Sequence, residues 1–334
     1  MPALDTAADT ALPRLVADIG GTNARFGWQA RAGAAIADVA TLACADHATL
    51  ADALAAYLRR LGRPAPPLCA VAIATPVTGD AVRMTNHAWA FSIAALQAQF
   101  GFTRLRVLND FTALALALPA LADDERVQVG GGLAQAGAPL ALIGPGTGLG
   151  VSGLLPDGRG GHVALAGEGG HATLAGRTPR EQQLLDALAA RHGHASAERA
   201  VSGPGLAELH ALLQALDRPD QPAPPPRPPA EVLQRGLAAG AAADPLAREA
   251  LDLFCAFLGT AAGNLALTLG ARGGVYIGGG IVPRLGEAFA RSPFRARFED
   301  KGRFRGYLAA IPVWVITARD APALRGAARA LDGG

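Results

Sequence analysis

Short apolar runs, punctuated by glycine and proline, alternate with amphipathic stretches over the first 120 residues. Leu15–Asp18 and Phe26–Trp28 flank a glycine-rich turn and predict two short strands; Cys69–Ala74 is another apolar run, ended by a turn over Thr75–Asp80. Ser92–Phe100 has helical periodicity and stops at Gly101. Leu105–Leu108 predicts a buried strand, and a helix follows from Thr112 to Leu118, before Pro119. Strands alternating with helices predict an α/β domain.

The pattern then starts again. Pro139–Ile143 predicts a strand, followed by a second glycine turn and a strand at Val151–Leu155. This repeat, about 126 residues downstream of the first, suggests two structurally related halves. Helices are expected at Arg180–Arg191 and Gly205–Ala215, and mostly helical chain from Glu231 to Ala271. Between them, Arg218–Pro229 is proline-dense and reads as a surface loop or spacer without a partner. Val275–Ile277 and Pro312–Thr317 are further strands, and a last helix covers Pro322–Leu331. Leu253–Gly270 is the best membrane candidate, but Gly259, Gly263, Asn264 and Thr268 interrupt it, so a buried core helix is the expectation.

Composition narrows the function. A chain of 334 residues has room for about two domains, and 50% hydrophobic against 17% charged residues allows a sizeable core. A net charge of +2, with no basic stripe, argues against nucleic acid and anionic membranes as partners. Lys301 is the single lysine among 30 basic residues and lies in a charged segment. A P-loop or a protein-kinase strand lysine is thereby excluded. Any phosphate must be held by backbone N–H groups, helix ends, arginine or a metal ion. Cys44, Cys69 and Cys255 are odd in number, far apart and in apolar surroundings, which predicts reduced thiols and a cytoplasmic location. Met1–Pro13 has neither a basic start nor an apolar core, so no signal peptide is expected.

Two glycine hairpins carry the candidate chemistry. Asp18-Ile19-Gly20-Gly21-Thr22-Asn23 and Gly144-Pro145-Gly146-Thr147-Gly148 would let backbone N–H groups approach an anion and adopt positive φ, with Thr22 and Thr147 adding hydroxyl donors. Asp18 is acidic where a phosphate site tolerates no bare negative charge, and a divalent metal reached through water would reconcile it. Gly148–Gly153 matches G-x-G-x-x-G, but strand-like residues follow where a dinucleotide site needs a helix. Asp110, at a strand end, has two readings: a helix N-cap, or a general base taking a hydroxyl proton. Gly167-Glu168-Gly169-Gly170-His171 presents a carboxylate and an imidazole from a loop, suited to sugar hydroxyls better than to a metal. His192 and His194 near Glu198 read as a solvated helix end.

Taken together, these segments resemble the bacterial glucokinase family of the non-ROK type, from about Leu15 to the C-terminus. The motifs that carry the resemblance include Asp18–Arg25, Met84–Ser92, Leu108–Ala113, Gly144–Gly150, Gly167–His171, Ser196–Arg199, Ser202–Gly205, Gly263–Leu267, Gly278–Pro283 and Phe298–Phe304. The resemblance implies a two-domain α/β actin-like ATPase (ribonuclease H-like) fold with an interdomain cleft. The small domain would be residues 1–120 plus 319–334, and the large one 121–318. It also implies phosphorylation of D-glucose at O6 by ATP with Mg²⁺, in a homodimer. The sugar ligands would fall on Asn109, Asp110, Glu168, His171 and Glu198, with Asp110 as catalytic base. The nucleotide segments would be Asp18, Ile19, Gly20, Gly21, Thr22 and Asn23 together with Gly146, Thr147 and Gly148. Gly279 and Gly280 would lie near adenosine, and Asp18 would be the metal-side carboxylate. The chain departs from the family pattern in about ten extra N-terminal residues and a longer proline-rich loop. Three rivals stand beside this reading: a kinase for mannose, fructose or an N-acyl hexosamine, a sugar-binding regulator without turnover, and an actin-like filament protein.

Overall fold

A computed structural model describes residues 9–220, 225–240, 243–318 and 320–332. Residues 221–224 of the proline-dense segment lie outside the described part. The chain divides into two compact units. The first comprises Met1–Ala122, Asp157–Ala166 and Ala318–Gly334; the second comprises Asp123–Pro156 and Gly167–Thr317.

The first unit is built on strands β1 (Arg14–Ile19), β2 (Asn23–Gln29), β3 (Ile36–Ala43), β4 (Leu68–Ile73) and, after the β5–β6 ribbon (Ala81–Arg83, Ala90–Ser92), β7 (Arg104–Asn109). They form one sheet in the order β3-β2-β1-β4-β7. β1 runs parallel to β4, and β4 to β7, while the glycine hairpin makes β2 antiparallel to β1. Every residue of β4 is buried, as expected for a central strand covered on both faces. One face packs on helix α1 (Leu50–Leu61), where Phe26 stacks on Tyr57 at 5.2 Å beside Leu54 and Val71. Thr49 caps that helix by accepting from the Asp52 N–H, and Gly62 ends it at φ +62°, a left-handed conformation glycine adopts without strain. The other face, at Val16, Ala70 and Ala72, meets Leu324 and Ala327 of the C-terminal helix Pro322–Arg329.

The second unit repeats the theme. β9 (Leu140–Pro145) and β10 (Leu149–Pro156) form the second glycine hairpin; β12 (Gly274–Ile277) is parallel to β9, and β13 (Val313–Ile316) parallel to β12. The order β10-β9-β12-β13 thus matches β2-β1-β4-β7, with β8 (Arg126–Val129) antiparallel beyond β13. The expected helical stretch over 231–271 is two helices, Pro229–Leu237 and Pro245–Leu269, because Asp244 caps the second by accepting from the Ala247 N–H at 3.1 Å. The longer one is apolar enough to cross a membrane by length and composition. Its Phe254, Phe257 and Leu258 are instead part of the core of this unit, with Leu209, Phe294 and Phe298 around them. The three cysteines are buried free thiols.

Candidate active site

In the first unit the candidate groups converge at the carboxyl ends of parallel strands, where open α/β sheets bind ligands. The register Ile19↔Ile73↔Asn109 brings the ends of β1, β4 and β7 level. The first loop is closed by the Gly20 N–H donating to the Asn23 carbonyl at 2.9 Å, and the Cys44 N–H donates to the Thr22 carbonyl at 2.8 Å. Gly20 and Gly21 do not adopt positive φ, contrary to one of the two uses expected of them. Space is the reason for Gly21: a Cβ there would come within about 3.0 Å of the Asn86 backbone.

The cap reading of Asp110 does not hold. The cap of the helix Asp110–Ala117 is Asn109, whose Oδ1 accepts from the N–H groups of Phe111 and Thr112 at 2.9 and 3.2 Å. Asn109 Nδ2 leans on the Thr75 carbonyl at 3.4 Å, a contact the sequence did not announce. With the cap filled by its neighbour, Asp110 is the first helical residue, and its Oδ1 accepts from the Phe111 N–H at 2.9 Å. Burial pushes its carboxyl up to about 6; the Phe111 N–H opposes this, and the negative charge of Asp18 reinforces it. The Asp18 carboxyl is itself raised by burial, against the pull of Arg25, whose Nη1 stands 3.9 Å from Asp18 Oδ2. Asp18, on β1, and Asp110, just past the end of β7, are therefore two electrostatically coupled carboxylates, with β4 between those two strands.

The second unit gathers Gly146, Thr147, Gly148, Glu168, His171, Glu198, Gly279 and Gly280. The Gly146 N–H donates to the Gly148 carbonyl at 2.8 Å and closes the second loop. Neither glycine has positive φ; the space above Gly146 is open, whereas a Cβ on Gly148 would lie 2.5 Å from Glu198 Oε2. That carboxylate accepts from the Leu149 N–H at 2.8 Å, so Glu198 is fastened to the second glycine hairpin. The Ala172 carbonyl accepts from the Ala197 N–H, and the Ala195 carbonyl from the Leu174 N–H, which ties the loop after His171 to the segment bearing Glu198. Gly170 is buried against β10, where a Cβ would overlap the Leu149 carbonyl. Glu168 and His171 on either side are exposed. His192 and His194 are engaged elsewhere, with Glu208 and with Thr173.

Two features of this loop are legible only in three dimensions. The helix Gly203–Asp217 begins at Ser202, whose hydroxyl caps the Gly205 N–H, and its Gly203 N–H donates to the Gly146 carbonyl at 2.8 Å. A helix N-terminus, the favoured end for anions, thus abuts the second glycine loop. Only the Ser202-Gly-Pro spacing could have revealed it. Gly279, at φ +77°, packs so closely on Pro145 that a side chain would overlap its carbonyl, and the Gly278 N–H donates to Ile143. The Gly278–Gly280 turn is thereby fixed to the strand that carries the loop.

Two ribonuclease H-like units, each with a glycine hairpin and polar side chains at the carboxyl ends of its strands, define the class: a sugar kinase of the actin-like ATPase fold. The chain belongs to the glucokinase family, whose model, described as Glucokinase, matches residues 15–333. It is 56% identical over 339 residues to a glucokinase of Aromatoleum aromaticum, covering 98% of this chain and 97% of that one. Its structure is similar to that of a glucokinase from an Antarctic psychrotroph, with a TM-score of 0.84, 35% identity and coverage of 96% and 98%. The fold is shared with a ROK family glucokinase from Streptomyces griseus solved with glucose and AMPPNP, at a TM-score of 0.61, 18% identity and coverage of 95% and 98%.

Proposed function

We propose that this protein is a glucokinase that transfers the γ-phosphoryl group of ATP to O6 of D-glucose, with Asp110 as general base. The observation that carries the role of Asp110 is the division of labour at the end of β7: Asn109 caps the helix, leaving the neighbouring carboxylate for chemistry. A carboxyl pushed up to about 6 is mostly ionised at neutral pH and more basic than an ordinary aspartate, as a proton acceptor should be. It takes the O6 proton as the hydroxyl attacks the γ-phosphorus, and the leaving group is ADP. Asn109 Nδ2, Glu168, His171 and Glu198 bind the other sugar hydroxyls. Loop N–H groups of Gly20–Asn23 and Gly146–Gly148 hold the phosphates, the latter aided by the helix starting at Gly203. The turn at Gly279 and Gly280 lies on the adenosine side.

Mg²⁺ suits this donor set. Among the described residues no group of three His, Cys, Asp or Glu could form a protein cage, while one half-buried carboxylate, Asp18, stands at the first loop. That is the pattern for an ion held largely by phosphates and water. When bound, the ion would neutralise charge on the β- and γ-phosphates, and Asp18 would hold one of its waters. The family resemblance and three buried thiols support a cytoplasmic homodimer; a monomeric mass in sedimentation would refute the dimer.

A coupled ADP assay over glucose, mannose, fructose and N-acetylglucosamine tests the substrate. Glucose is expected to give the highest kcat/KM, and no turnover above ATP hydrolysis with any hexose would overturn the reading. Glu168→Ala is expected to raise the glucose KM by about 10-fold or more, the loss of a charge-assisted hydrogen bond worth roughly 1.5–3 kcal/mol. An unchanged KM would remove Glu168 from the sugar site.

A further inference from the structure

A cavity of about 720 Å³ lies wholly within the first unit and is lined by none of the residues assigned to sugar or nucleotide. It exists because the sheet is covered unevenly. Phe26 and Ala24 of β2 pack into the core against α1. Arg25 and Gln29 alternate with them and face the other way. On that second face the C-terminal helix covers β1 and β4 through Leu324 and Ala328. It leaves β2 and β3 under-covered, with Val39 52% exposed.

The lining is chemically specific. Ile36, Val39 and Leu324 supply apolar floor and wall, and Arg25, Arg325 and Arg329 bring three guanidinium groups to the same space. The acidic residues there are Asp320 and Asp332, and Asp332 is paired with buried Arg14. Arg25 likewise stands 3.9 Å from Asp18, and the lining as a whole has three arginines against two carboxylates, a net positive charge of one. Gln29 is 5% exposed; its Nε2 donates to the Ala34 carbonyl at 2.7 Å, while its Oε1 is buried with no hydrogen-bond partner among the described residues. A buried acceptor without a donor costs free energy unless something fills the role.

We propose that this cavity binds one small amphipathic organic anion: an apolar body, one carboxylate, sulfonate or phosphate group, and an N–H or O–H donor for Gln29 Oε1. The anionic group pairs with the arginines while the body covers Val39 and Leu324. Arg25 links the cavity to Asp18 at 3.9 Å, and the helix on its far side rests on the helix that begins at Asp110.

The test is a fluorescence titration of the intact chain with 8-anilinonaphthalene-1-sulfonate, which has an aromatic body, a sulfonate and an N–H. Saturable binding at one site per chain is expected, at least 10-fold tighter than that of N-phenyl-1-naphthylamine, which lacks the sulfonate. Val39→Glu places a carboxylate at an exposed position of the wall and is expected to weaken binding at least 10-fold. Arg329→Gln, also at an exposed position, is expected to weaken it about 3-fold or more. Circular dichroism checks that both variants fold. Absence of saturable binding, equal affinity for the neutral compound, or affinity unchanged in both folded variants would each overturn the proposal. Binding, not turnover, is measured, so its failure leaves the kinase reading untouched.

Discussion

Asp110→Asn is expected to lower kcat by about 10²–10⁴-fold, the usual contribution of a positioned general base. The amide keeps the shape and much of the hydrogen bonding of the carboxylate but accepts no proton. Glucose affinity, measured by calorimetry with and without a non-hydrolysable ATP analogue, should stay within about 5-fold of wild type, given that one hydrogen bond contributes roughly 1 kcal/mol. A variant with near-normal kcat would refute the base assignment. The pH profile follows from the same group. Because burial raises this carboxyl to about 6, kcat/KM should be level above that pH and fall about 10-fold per unit below it. A profile flat down to pH 4.5 would contradict the assignment.

Stability should move in the opposite direction. The folded-state value lies above the ordinary 3.8, so folding favours the protonated carboxyl and opposes the ionised one. That opposition is present above about pH 6 and relieved as pH falls through it. Asp110→Asn should therefore melt at a higher temperature than wild type at pH 7.5, with the gap narrowing as pH falls from about 6 toward 3.8. Such a gain, at the expense of turnover, is the usual signature of a site held in an unfavourable electrostatic state for function.

Gly326→Ala is expected to have the largest effect on folding of the first unit. Gly326 lies in the C-terminal helix against the helix that begins at Asp110, so closely that a Cβ would overlap the Ala113 carbonyl. Backbone cannot yield as a flexible side chain does, and separating the helices would open the packing of Val16, Ala113, Leu324 and Ala327. A loss of about 1–3 kcal/mol or more is expected, read from urea unfolding. The control is Gly306→Ala, also in a helix but with open space around it, where alanine's better helix propensity predicts a neutral or slightly stabilising change. Equal stability of Gly326→Ala and wild type would show that the helix contact is not constrained as described.

The strand–glycine turn–strand units were legible because their signals are local. The apolar run Cys69–Ala74, short and ended by a turn, reads as a buried strand and is β4 (Leu68–Ile73), and a glycine pair between two such runs marks a hairpin. One of the two uses expected of the glycines fails: none of Gly20, Gly21, Gly146 and Gly148 adopts left-handed φ, and clearance is what Gly21 gives to Asn86 and Gly148 to Glu198, while Gly146 faces open space. Which of Asn109 and Asp110 caps the helix was also beyond the sequence. Asn109 and Asp110 are both good caps, and a one-residue shift in where the helix starts decides which side chain is consumed. Helix boundaries depend on which backbone groups find partners, and one of those partners, the Thr75 carbonyl, lies 34 residues away.

Sequence alone determined the alternation of buried strands and helices, the two glycine hairpins, the exclusion of a lysine-based phosphate loop, and the family. These follow from periodicity, residue type and motif order within a few tens of residues. Tertiary structure alone decided that Glu198 is fastened to Leu149, that the helix at Gly203 abuts the Gly146 loop, that burial, reinforced by Asp18, raises the Asp110 carboxyl, and that β2 and β3 leave a cationic cavity uncovered. Each of these joins groups distant in sequence whose meeting depends on strand register and close packing, which no local pattern encodes.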